Sequence, residues 1–201
     1  SNANGPKNGT ACPAAQNKSA LGGYDASSVT ALTSDVSKRP ASYTGVGGTP
    51  SIADVSSQLG PLSTVGGLES LVTEVTNMAS SANIYNGNAS GLTNPGTQAA
   101  PVVNVVTGNL TLGGGFTGAG IILVEGSLTM SGNPSFDGII LVIGQGSVTK
   151  NGGGNGTLDG ALMVANLYDS LGHLLPSSSA PGIPTINWNG GGNATIQYDS
   201  C

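Results

Sequence analysis

Charge is scarce in this chain. Charged residues fill 7% of its 201 positions, against roughly 25% in an ordinary globular protein. Four Lys and one Arg stand against ten acidic residues, for a net charge of -5. A nucleic-acid surface needs clustered cations to displace counterions, and an anionic membrane surface needs the same, so both partners are excluded. Membrane-length hydrophobic runs are missing too, since none reaches the roughly 18 residues of a span. Two cysteines and the single His173 are too few ligands for structural zinc of the Cys/His type. The serines form no Gly-x-Ser-x-Gly elbow. The triple glycines at 113–115, 152–154 and 190–192 do not lead into Gly-Lys-Ser/Thr and a helix, so they are not phosphate loops. No cofactor and no metal is expected.

Glycine and small polar residues are abundant. There are 34 Gly and 11 Pro. Such a composition often marks disorder, but here it is interleaved with β-branched runs able to bury a core. Surface polarity rests on Ser, Thr and Asn, a pattern of exported bacterial proteins. Three stretches repeat one design: Val102–Leu112, Ile121–Met130 and Ile139–Thr149 each hold an apolar run, a Gly and a short alternating strand. Leu110 and Leu128 lie 18 residues apart, and Leu128 and Val148 lie 20 apart. A period near 20 with β-rich units is the signature of a solenoid. The fold class expected is mainly β: a short parallel β-helix with about three N-terminal α-helices packed on one wall.

Ser1-Asn2-Ala3 has the form of a scar left by a cleaved tag and is set aside. Residues 4–101 are expected to hold a polar segment and the helices, and residues 102–201 the β-helix, as one cooperative domain. The first helix runs from Asp25, a suitable N-cap, to Val36. Thr49-Pro50 signals a second helix carrying Ile52, Val55 and Leu59 on one face. The third spans about Val65 to Ala82, with Leu68, Leu71, Val72 and Val75 at helical spacing. Asn83–Pro101 reads as a polar loop, and Asp169–Pro184 as an excursion from the solenoid. Corners are expected at Gly113–Gly120, Ser131–Gly138 and Asn151–Gly160.

The runs Ile121–Val124, Ile139–Val142 and Ala161–Val164 are apolar at every position. A strand covered on both faces need not alternate, so this wall should be covered outside as well as inside. The helix carrying Leu68 and Leu71 is the expected cover. The other wall alternates, placing Leu110, Leu112, Leu128 and Met130 inward and Thr111 and Thr129 outward.

Asp137 and Asp159 each precede the Gly that opens an apolar run. In register they would stack roughly 5 Å apart, a spacing that suits a retaining glycosidase or a calcium ion. Asp-Gly is equally a favoured turn dipeptide. Thr117 would hold the equivalent place one coil earlier, and Lys150 is the nearby cation. His173 reads as a lone histidine without a partner. Trp188 and Tyr198 could stack on a sugar or cover the end of the last coil. Cys12 and Cys201, at opposite ends, are either free thiols or a disulfide; the disulfide is the better reading for an exported protein.

The segments Gly120–Gly132, Phe136–Val142, Gly152–Ala161 and Gly192–Cys201 together resemble the exported C-terminal region of bacterial PilX-type pilus-assembly proteins. The resemblance covers residues 102–201. It implies a β-helical ectodomain in the cell envelope, periplasmic or extracellular, held by an N-terminal membrane helix upstream of Asn4. It brings no catalytic residues. The expected function is therefore a non-enzymatic structural or adhesive module associated with type IV pilus assembly, with other envelope or pilus proteins as partners. The alternative is a carbohydrate-active β-helix enzyme or a glycan-binding module. An open cleft holding the two carboxylates and a cation would favour the alternative.

Overall fold

A computed structural model describes residues 18–37, 40–188 and 195–197 of the chain. Cys12, Cys201 and Tyr198 lie outside the described residues, as does the side chain of Trp188. The architecture is a parallel β-solenoid preceded by three α-helices.

The N-terminal part begins with strand β1 (Leu21–Gly23), helix α1 (Ala26–Asp35), strand β2 (Ile52–Asp54) and helix α2 (Ser56–Leu59). Asp25 caps α1, its carboxylate accepting from the Ser28 amide at 2.7 Å. β1 and β2 pair in parallel, Leu21 opposite Ile52. The expected second helix is thus corrected: Ile52 belongs to a strand, and only Ser56–Leu59 is α-helical, followed by a 3-10 turn at Gly60–Ser63. Apolar residues spaced 52, 55, 59 fit a helical face, but pairing with β1 satisfies the backbone of Ile52–Asp54 first.

Helix α3 (Val65–Met78) is the longest. The Thr64 hydroxyl accepts from the Gly67 amide at 3.2 Å. The helix stops at Met78, short of the expected Ala82, because Ala79 turns to extended backbone.

The solenoid has two walls. One is built from β3 (Ile84–Tyr85), β5 (Val102–Val106), β7 (Thr117–Val124), β9 (Ser135–Gly144), β11 (Thr157–Asn166) and β13 (Thr195–Gln197). The other is built from β4 (Ala89–Ser90), β6 (Leu110–Leu112), β8 (Ser127–Ser131), β10 (Ser147–Asn151) and β12 (Thr185–Trp188). Neighbours within each wall pair in parallel and in register: Leu110, Leu128 and Val148 form one column, and Val148 pairs with Ile186. Two expectations are corrected. The solenoid starts at Ile84, not Val102. The corners are also shorter than expected, since residues 117–120, 135–138 and 157–160 already belong to strands.

Alternate side chains fill the interior. Ile122, Val124, Ile140 and Val142 from the long wall meet Leu110, Leu112, Leu128 and Val148 from the short one. The intervening residues Val105, Leu123, Leu141 and Ile143 face outward, into a second apolar layer with Val65, Leu68 and Val75 of α3. That second layer explains why these strands do not alternate. α3 is the helix that shares it; the neighbours of α1 are β1 and β2. Cover thins at one edge, where Ile139 is 43% exposed.

The excursion at 169–184 anchors α3. The first amides of a helix lack intrahelical partners. Here Val65 and Gly66 donate to the carbonyls of Ser179 (2.9 Å) and Ser177 (2.8 Å). The Tyr24 hydroxyl donates to the Gly182 carbonyl, tying the N-terminal part to the same segment. No helix among the described residues is long and apolar enough to cross a membrane.

Candidate functional site

Asp137 and Asp159 do stack on adjacent coils, as the shared Asp-Gly dipeptides implied. Their column runs Ala119, Asp137, Asp159, Gln197. The residue preceding Asp137 is therefore Ala119 and not Thr117, which pairs with Ser135. The following glycines form their own column, Gly120–Gly138–Gly160, with φ of 126°, 139° and 145°. A Cβ on Gly138 would collide with the Gly120 carbonyl. The dipeptide thus marks a bend inside a strand, where left-handed backbone and coil-to-coil contact both demand glycine.

The carboxylates point outward, with the parity of Leu141 and opposite to that of Phe136 and Ile140. A strap at residues 94–100 runs along the edge of β7 and reaches the outer face only through Gln98. The Pro95 carbonyl accepts from the Ala119 amide at 3.0 Å, and it would lie 2.6 Å from a Cβ on Gly118. Buried Asn104 donates through Nδ2 to the Asn94 carbonyl at 3.1 Å. Gln98 donates through Nε2 to Asp137 Oδ2 at 2.8 Å. Asp159 is 8% exposed. A glycosidase of the two-carboxylate kind needs both groups open to the sugar; here one is held by the strap and the other is buried. Among the described residues no group of three or more His, Cys, Asp or Glu could hold a metal ion.

Lys150 does not join these carboxylates. It points inward from β10, in the column Leu112–Met130–Lys150, and is 3% exposed. Its Nζ donates to the carbonyls of Gly132 (3.1 Å) and Asn151 (3.3 Å). The sequence carried this signal: Lys150 follows Val148 by two residues, as Met130 follows Leu128. Beside it lies a void of about 30 Å³, lined mostly by apolar residues including Phe116, Phe136 and Leu158. A void of that size holds about one or two waters and no sugar ring. The Phe116 and Phe136 rings stack at 6.5 Å on its wall.

His173 has a partner, contrary to expectation. Its Nδ1 lies 3.3 Å from Asp169 Oδ2, and Asp169 Oδ1 accepts from the amides of Leu171 (2.8 Å) and His173 (2.9 Å). These bonds, the His173 amide foremost, hold the Asp169 carboxyl below the usual carboxylate range. Both side chains are exposed, so the pair braces a surface loop. At the end of β7, burial pushes the Glu125 carboxyl up.

Against known protein families, curated proteins and solved structures, the chain has no match.

Proposed function

We propose that this chain is a non-enzymatic structural or adhesive module of a bacterial cell envelope, exported and associated with pilus assembly. The observation that carries the non-enzymatic half is the cover over the outer wall. α3 lies on the apolar part, and the 94–100 strap holds Asp137, in the place where an enzyme would present its carboxylates to substrate. Among the described residues, the outward column Thr111–Thr129–Thr149 of the short wall is uncharged and exposed or half-buried, which suits contact with another protein. The envelope and pilus half rests on the resemblance of residues 102–201 and on the Ser, Thr and Asn surface. The test is deletion of the gene in the bacterium that encodes it, with pili counted by electron microscopy. Loss of pili, restored by the gene in trans, is expected. Unchanged piliation, with the protein found in the cytoplasm, contradicts the proposal.

A further inference from the structure

α3 crosses the long wall along the solenoid axis. Its first amides bond to the segment that follows β11, and its far end leads through Ser81–Asn83 into β3, the first strand of that wall. Its 14 residues span about 21 Å, close to the roughly 19 Å of the strand spacings from β3 to β11. Val105, Leu123 and Leu141 form one outward column of the register and are buried in the layer that α3 shares.

The next outward column stands two residues upstream, about 7 Å away. It reads Val103–Ile121–Ile139–Ala161 and is apolar throughout. Its cover fades along its length: Val103 and Ile121 are half-buried, Ile139 is 43% exposed and Ala161 is exposed. The strip is continuous with the α3 interface, since Val103 and Ile121 pack against the same apolar layer. The column on its far side carries Asp137 and Asp159, whereas Lys150, the cation of these coils, points into the interior. Packed helices lie about 8–10 Å apart. A helix set beside α3 would therefore sit over this strip, with one flank at Asp137. We propose that the strip is the docking site for an amphipathic helix of a partner protein, laid alongside α3. The layer that already receives one helix gives the second its apolar stripe. The carboxylate column gives it a flank of Lys or Arg. This surface is separate from the threonine column of the short wall.

The probe is a fluorescein-labelled amphipathic peptide of about 18 residues, Leu on one face and Lys on the other. Fluorescence anisotropy against the full chain should show saturable binding, and a scrambled peptide of the same composition should not bind. Ile139→Ser should weaken binding about fivefold, the effect of losing an apolar side chain that is already partly covered. Asp137→Asn should weaken it and flatten its salt dependence. Leu171→Ser, at an apolar residue 79% exposed elsewhere, should leave it unchanged. A benzophenone on the apolar face of the peptide should cross-link to β9 or β11 of the wild type, a reading that needs no variant. The proposal is overturned by the absence of saturable binding, by equal binding of the scrambled peptide, by wild-type affinity in Ile139→Ser, or by cross-links confined to other elements. Sedimentation that shows a dimer of the chain, dissolved by Ile139→Ser, would give the strip to a second copy and overturn it as well.

Discussion

Replacing Leu68 with Ala tests whether α3 and the solenoid form one folding unit. Leu68 has no exposed surface and shares an apolar layer with Val105, Leu123 and Leu141 of the long wall. Truncating a leucine in such a site removes its transfer free energy and leaves a cavity, at a cost of about 2–5 kcal/mol. For a protein of this size each kcal/mol moves Tm by about 2–4 °C, so the variant should melt about 4–20 °C lower. Leu71, which is only partly buried against the same layer, should cost less when cut to Ala. Met78 is 64% exposed, and Met78→Ala should stay within about 0.5 kcal/mol. Calorimetry reads the outcome. One transition, shifted as a whole, is expected for Leu68→Ala. Two transitions, with the solenoid melting at its original temperature, would refute the reasoning and make the helices a separate unit.

Three further outcomes follow from particular residues. Gly138→Ala sets a side chain at positive φ against the Gly120 carbonyl; strained backbone alone costs about 1–3 kcal/mol, and chemical denaturation should show at least that loss. Glu125, raised by burial, is protonated more readily folded than unfolded. The native state therefore binds more protons as pH climbs from the ordinary carboxylate range to the raised one, and stability falls across that window. Glu125→Gln should accordingly raise Tm above wild type at pH 7 and leave it unchanged at pH 3; an equal shift at both values would rule out this cause. Non-reducing mass spectrometry should find Cys12 linked to Cys201, a closure worth roughly 5 kcal/mol at most in the chain-entropy model; two free thiols after folding under oxidising conditions would reject it.

Much of the solenoid was legible because parallel in-register stacking writes its period into the sequence. Leu110, Leu128 and Val148 repeat at 18 and 20 residues and form one column. The first coil was not legible, since β3 and β4 are two residues each and show no periodicity. Ile52 and Val55 fit a helical face by their i, i+3 spacing, and the three-residue strand Ile52–Asp54 is too short to show an alternation that would compete with it. Placing Thr117 beside Asp137 amounts to aligning Phe116 with Phe136, whereas the register sets Gly118 opposite Phe136. Aligning the apolar runs instead, Ile121 with Ile139, sets Ala119-Gly120 beside Asp137-Gly138, as the register has it. The strap could not be read at all. Its hold on Asp137 comes from Gln98, 39 residues away in the chain, and no local pattern encodes such a contact. Lys150 is legible in parity, since it follows inward-facing Val148 by two residues as Met130 follows Leu128.

The most direct test of the account is a search for turnover on acidic and neutral polysaccharides, reading reducing ends and unsaturated products. With Asp137 held by Gln98 and Asp159 buried, the account predicts no release from any of them by the wild-type protein. Turnover by the wild type that disappears in a folded Asp137→Asn or Asp159→Asn variant would contradict it, and would make the carboxylate column an active site.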